Sequence, residues 1–361
     1  MQEREAAAID PHEKPLGKKE RLYLRHRWHS RILFISRLAT ATAFLIVILM
    51  AATLTGTDLV ERALSVADYE EFAAEIMLAL LSPLLLVVFR AFTSAQHYAT
   101  GAAATDQQFE HVHLMVEHYS KLAGLKRTPM IAIVSGASFL AKSTSNFGKA
   151  AILVHSDLLD APRPDSDDWG ALRFAIAREV GNIAAGHRDL SYELSTVVTQ
   201  SVRYLSNPLR RAEAYTADRY GAVLAPDAVS DYFAVVAVSK DCWQEMSIRA
   251  AVARAGRVGI GQMIVGLLGE VPPIVWRLQA LAWLGVLNCD VLPCRAQSPE
   301  GYSDFLKKLP AKPVRIVDLK QRHGAFFLPP EIMTEKTLDE LCPKGTNQER
   351  LSRAFADYRE Q

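Results

Sequence analysis

Over its first hundred residues the chain is apolar in blocks rather than in a repeating pattern. Residues 38–56 are 19 uncharged and mostly apolar positions, about 28 Å of helix against a hydrocarbon core of roughly 30 Å. The run is longer than the core of a signal peptide and lacks a convincing small-residue cleavage site, so it is read as a membrane anchor. A second apolar block, residues 72–95, carries Glu75 and Pro83, which leaves an uncharged stretch of only 14 residues, 76–89. It can span if it tilts, if Arg90 snorkels and if Ala91, Phe92 and Ala95 extend it. The competing reading is a helix that lies on the membrane or under the following domain.

From residue 104 the pattern becomes periodic and predicts a compact α+β domain, mainly helical. Residues 107–122 repeat apolar positions at helical spacing (Phe109, Val112, Met115, Val116, Tyr119, Leu122). Residues 130–135 and 150–155 are short β-rich runs joined by a stretch with Gly and Asn, which reads as a hairpin or small antiparallel sheet. Helices are expected over 169–187, 191–205 and 208–224, and a helical layer over 227–250 and 273–287. Beyond Pro293 the prolines multiply and the pattern fades, until a charged amphipathic helix is expected over 347–358. The resulting organisation is a basic N-terminal segment (1–37), two apolar helices (38–56 and 72–95), a core domain (104–292) and a C-terminal extension (293–361), the last a candidate partner surface.

Within the helix over 169–187 stands the one stretch with a chemical signature. In an HExxH zinc helix two histidines four residues apart share a face and clamp the metal, and the adjacent Glu activates a metal-bound water. Here Arg178-Glu179-Val180-Gly181-Asn182 keeps the Glu and replaces both histidines. A guanidinium cannot coordinate a cation, and an Asn amide oxygen matches zinc poorly.

Four ordered stretches between residues 107 and 285 resemble the zinc metallopeptidase family that contains HtpX and the CAAX prenyl endopeptidases. Ser138-Phe139-Leu140-Ala141, with residues 149–160 ending in Leu158-Leu159-Asp160, resembles the family's "NAFA" turn and the strand leading to "LLD". The altered HExxH helix follows. Residues 210–221, Arg-Arg-Ala-Glu-Ala-Tyr-Thr-Ala-Asp-Arg-Tyr-Gly, resemble "RxxEYEADRxG", and residues 271–281, with Val271, Pro272, Pro273 and Arg277, resemble "HPPxxxRIxxL". The resemblance implies a metallopeptidase-like domain behind a transmembrane helical hairpin. It also implies that the zinc-ligand positions are Arg178, Asn182 and Ala214, all altered, and that Glu179 is a vestigial base. Asp218 matches the Asp of the family's ExxxD, and Glu213 lies one position off its ligand. Helical spacing puts His187 off the former ligand face, so Glu213, Asp218 and His187 are read as supporting groups. His111, His113 and His118, with Glu110 and Glu117, read as solvated surface residues.

Charge and cysteine content refine the picture. Residues 14–37 hold eight Lys or Arg, while 57–75 hold only Arg62, so the positive-inside rule puts the N-terminus in the cytoplasm. Two spans return the large domain to the cytoplasm; one span leaves it outside. The basic segment also suits anionic lipid headgroups. A net charge of +1 and the lack of a Gly-rich phosphate loop give no sign of nucleic-acid binding. Cys242, Cys289, Cys294 and Cys342 fit no zinc spacing and read as plain thiols in a reducing compartment. Two functions are expected to compete. One is a membrane-anchored pseudopeptidase without cofactor, serving as a binding, scaffold or regulatory module with a bilayer and a protein complex as partners. The other is an active zinc metalloendopeptidase with a rearranged metal site.

Overall fold

The computed structural model describes residues 15–56, 66–136, 140–146, 149–162, 169–257, 259–284, 287, 330 and 332–342. The chain is mostly helical with one small mixed sheet, and its element order follows the sequence closely. A short helix α1 (Lys18–Leu24) precedes the long apolar helices α2 (His29–Gly56) and α3 (Val66–Thr100). Both are long and apolar enough to cross a membrane, and most of their side chains lie bare on the surface. In α3, Glu75 and Pro83 are carried within one continuous helix of 35 residues, so the second apolar block is not limited to its uncharged 14. A chain of apolar neighbours bridges local helix breakers when the ends are anchored, and α3 packs against α2 and over the sheet.

After strand β1 (Ala102–Ala103) and helix α4 (Glu110–Leu122) come β2 (Met130–Val134), β3 (Ala141–Asn146) and β4 (Lys149–His155). The sheet order is β1-β2-β4-β3. β2 and β4 run parallel, with Met130 opposite Ala151 and Val134 opposite His155, whereas β3 pairs antiparallel with β4. The expected antiparallel pairing of 130–135 with 150–155 is thus corrected. The intervening strand, Ala-Lys-Ser-Thr-Ser-Asn, is too polar for a hydrophobic alternation to show, and it takes the hairpin partner's place at the edge. The central strands are buried on both faces, as parallel pairs require.

Helix α5 (Gly170–Ala184) carries the altered motif and is buried along nearly its whole length. It ends three residues before the expected 187. Gly186 adopts φ +77°, the left-handed conformation that a residue with a Cβ avoids, and the His187 N–H closes back on the Asn182 carbonyl at 3.1 Å. Where one helix over 191–205 was expected, there are two short ones, α6 (Leu190–Ser195) and α7 (Val197–Ser201). Helix α8 (Arg203–Leu224) then starts five residues ahead of the expected 208 and carries Pro208 inside it. The layer continues with α9 (Val229–Ala237), α10 (Ile248–Arg254), α11 (Ile260–Leu268) and α12 (Ile274–Leu284). A turn around Trp243 separates α9 from α10, and α11 was not anticipated.

Two ends of the chain join the core instead of standing outside it. Leu16 and Leu24 are buried in the main cluster, the Leu16 N–H binds the Leu122 carbonyl at 2.8 Å, and the Tyr220 hydroxyl donates to the Arg21 carbonyl at 3.2 Å. At the other end α13 (Glu335–Leu341) places Met333, Leu338 and Cys342 in the same core, and its carboxylate Asp339 pairs with Arg249. The extension is therefore partly structural. Its expected helix over 347–358 lies outside the described residues. Cys242 is a free, exposed thiol, but Cys342 is disulfide-bonded, which corrects the expectation of four plain thiols.

The closest helix crossing is that of α5 on α8. A Cβ on Gly181 would stand 2.2 Å from the Cβ of Tyr220, and one on Gly221 would stand 2.9 Å from the ring of Phe174. The Gly181 contact is with a Cβ, which no side-chain rotation can move away, so the backbones themselves must part. Gly181→Leu is expected to lower stability by about 3 kcal/mol or more through overpacking; a melting temperature equal to that of the unaltered chain would show that this crossing is not the core contact.

Candidate functional site: a buried guanidinium–carboxylate cluster

The α5–α8 crossing brings the altered motif against residues 213–218. Arg178 projects from α5 toward α8 and donates from Nε to Asp218 Oδ1 at 3.0 Å, while its Nη1 meets Glu179 Oε1. From α12, Arg277 grips the same Asp218 in a two-point fork, Nε to Oδ2 at 2.7 Å and Nη2 to Oδ1 at 2.6 Å. Its guanidinium lies 4.8 Å over the Phe233 ring of α9. Asp218 is thus held by cations from two helices, and three helices meet on one carboxylate. Two guanidinium and two carboxylate groups make the cluster formally neutral, the condition under which buried charge is tolerated.

Glu179 faces the edge strand. Its Oε2 accepts from the Ser143 N–H at 2.8 Å, the Ser143 hydroxyl at 2.7 Å and the Asn182 amide at 3.0 Å. Burial raises its pKa, but Arg178, Arg188 and these hydrogen bonds outweigh burial and leave the carboxyl below its ordinary value. The same holds for Asp218, where burial is outweighed by Arg277 and Arg178. The carboxylate is thus held ionised by four donors, three on Oε2 and one on Oε1.

The remaining expected residues fall into a neighbouring cluster. Asn182 Oδ1 contacts His187 Nδ1 at 3.1 Å, so His187 does reach the former ligand face. Helical arithmetic failed there because the helix ends at Ala184 and the turn at Gly186 folds His187 back. Glu213 does not touch Arg178. It accepts from the Tyr192 hydroxyl at 2.7 Å and stands 3.9 Å from Arg188, and burial raises its pKa. His29, at the base of α2, completes this cluster, with its Nε2 3.3 Å from the Tyr192 hydroxyl and its ring 4.9 Å from that of His187. Ala214 is buried, and its methyl group offers no metal ligand.

A zinc ion does not fit the residues at the three ligand positions. One carries a fixed positive charge engaged with two carboxylates, the second spends its amide on Glu179 and His187, and the third has no heteroatom. Among the described residues, no group of three or more His, Cys, Asp or Glu side chains could hold a metal ion. Ser143, Arg188, Tyr192 and His29 were not singled out from sequence. Only Arg277 lay in a quoted motif, and a serine in a polar strand or a histidine ahead of an anchor carries no local signal. His118, read as solvated, is half-buried and pushed down to about 4 by burial and Lys121, and His111 stacks on Trp169 at 4.9 Å. No family model matches the chain, and no curated protein or solved structure matches it.

Arg178→Ala removes one of two cations from a buried carboxylate and is expected to cost about 3 kcal/mol in denaturant unfolding; a change under about 0.5 kcal/mol would show a solvated, dispensable side chain. The pH dependence follows from His187. Burial is the largest cause holding its pKa well below 6.5, so between that depressed value and about 6.5 the unfolded chain binds a proton that the folded chain does not. Stability is therefore expected to fall as pH drops below about 6.5; His118, pushed down to about 4, adds to the same limb, so His187→Gln is expected to make that limb of a melting-temperature profile shallower without removing it. A second fall, below about pH 4, is expected as Asp218 and Glu179 are protonated, because their folded pKa values lie below their unfolded ones.

Proposed function

We propose that the chain is a membrane-anchored pseudopeptidase: a metallopeptidase-like domain, behind a transmembrane hairpin, that serves as a binding, scaffold or regulatory module without zinc. The observation that carries the reading is the engagement of Arg178 with Asp218 and Glu179, which fills the place of a metal with a fixed cation and ties up the one retained base. Such a domain acts through its surfaces, with the bilayer and a protein complex as partners and no nucleic acid. The purified chain is expected to contain no stoichiometric zinc and to leave casein unhydrolysed. One zinc per chain by elemental analysis, with chelator-sensitive proteolysis lost in Glu179→Gln, would overturn the proposal.

The second reading, an active enzyme with a rearranged metal site, has one observation in its favour. His29 Nδ1 and His187 Nε2 are buried without a hydrogen-bond partner, on rings 4.9 Å apart, next to Tyr192 and Glu213. If zinc is found, its loss in His187→Ala but not in Arg178→Ala assigns it there.

The anchor reading extends to topology. Residues 16–29 pack into the same core as the domain after residue 104, and two segments in one core cannot lie on opposite sides of a membrane. A crossing by α2 therefore requires a return crossing by α3, whose 35 residues suffice. The Lys and Arg bias of residues 14–37 places that shared side in the cytoplasm, whereas the Cys342 disulfide favours an oxidising compartment. Ser65→Cys is expected to react with an impermeant thiol reagent in intact cells while the free thiol of Cys242 stays protected. Labelling of both sites would reject the hairpin, and labelling of Cys242 alone would invert it.

A further inference from the structure

Outside the anchor helices, the domain exposes a run of large apolar side chains. Val202, Tyr204 and Leu205 stand at the start of α8, and Ile264, Val265, Leu268 and Val271 on and just after α11. Tyr204 is 64% exposed, Leu205 58% and Val265 69%. Isolated exposed residues of this kind are ordinary, but these belong to one surface. The end of α11 is strapped along α8: the Asn207 amide donates to the Leu268 carbonyl at 2.7 Å, and Arg211 donates from Nη2 to the Gly269 carbonyl at 2.8 Å. The Arg210–Glu270 ion pair, 2.9 Å, closes the patch on the side nearer the site.

The height of this patch is fixed by the anchor. Helix α8 runs antiparallel to the N-terminal segment, with Tyr220 on Arg21 and Thr216 accepting from the His26 N–H at 3.1 Å. Going back from Thr216 to Tyr204 climbs 12 residues, about 18 Å of helix. Helix α2 starts at His29, and Leu38, where its uncharged run begins, stands about 14 Å further along it. Arg37, the last charge before that run, donates to Ser195 at 3.2 Å, and α7, which follows Ser195, packs on α2. The chain from α7 into α8 therefore lies level with the first turns of the uncharged run.

We infer that the start of α8 and the outer face of α11 are immersed in the leaflet of the bilayer that α2 enters, so that the domain is seated in lipid rather than suspended from its two helices. The inference rests on the reading of α2 as a membrane span. Lipid acyl chains are the occupant that the geometry selects, because the patch continues the apolar surface of α2 at equal depth. Tyr204 supplies an aromatic group, and the Arg210–Glu270 pair charged ones, of the kinds that favour the headgroup boundary. Seating of this kind fixes the tilt of the domain and holds α5 and the Asp218 cluster at a set distance below the membrane.

The test is site-directed spin labelling of the full chain in liposomes of neutral and anionic phospholipid. Nitroxides are placed at Leu205→Cys and Val265→Cys, with Leu45→Cys as a marker of the span and Asp241→Cys as a marker of water, each against the chain without the added cysteine. The expected result is that labels at Leu205 and Val265 lose collisions with an aqueous nickel chelate and gain collisions with oxygen, as the Leu45 label does, while the Asp241 label shows the reverse. Aqueous accessibility at Leu205 and Val265 with Leu45 in lipid would overturn the inference and leave the anchor intact. Protection of both sites from both reagents would overturn it in favour of a second copy or a protein partner. An aqueous Leu45 label would instead remove the membrane reading on which the inference stands.

Discussion

One carboxylate, that of Asp218, holds together the helices around which the domain is built. It takes a fork from Arg277 on α12 and a single bond from Arg178 on α5, with no exposure to water. Isolated, any one of these charges would be costly in the interior, since transfer of an ion from water into protein has an effective penalty of several kcal/mol. Grouped as two cations and two anions with short hydrogen bonds, they become mutually required. The glycines at 181 and 221 are what let α5 and α8 approach closely where Arg178 reaches across to Asp218. In a metal enzyme an ion would carry the bridging charge between such helices; here a guanidinium supplies it from within the chain.

The same arrangement argues against catalysis at Glu179. A general base needs a pKa near the working pH and an open lone pair in reach of its substrate. Glu179 departs from this in its pKa, which Arg178 and the hydrogen bonds from Ser143 and Asn182 hold below the ordinary carboxylate value. What remains available to the outside is surface, including two bare apolar helices long enough to cross a membrane, while the N-terminal segment with α1 packs into the core against α8.

The two long apolar helices and most of the helices that follow were legible because each is a local pattern, an uncharged run or a 3.6-residue period. That Arg178 takes a carboxylate was also accessible, since a buried guanidinium needs one and Glu179, Glu213 and Asp218 lay on the two helices; that it takes Asp218 and Glu179 and not Glu213 was not. The sheet order was not legible, because β3 is a polar edge strand whose identity depends on its contact with α5. His187 was misplaced because its position depends on a left-handed glycine that ends the helix early. The packing of residues 16–29 into the domain was hidden by their charge; basic residues ahead of an apolar run signal topology, and nothing in Arg25 or His29 alone announces the Ala185 carbonyl or Tyr192 as its partner.

The central claim is that a side-chain ion cluster, not a metal, joins α5 to α8. A double-mutant cycle between Arg178→Met and Asp218→Asn, read by denaturant unfolding of the full chain in detergent micelles, measures that link directly. The account predicts a coupling energy of about 2 kcal/mol or more, with the double change costing less than the sum of the two single changes. Additive effects, unaltered by removal of Arg277, would contradict it and return the stability of the crossing to apolar packing alone.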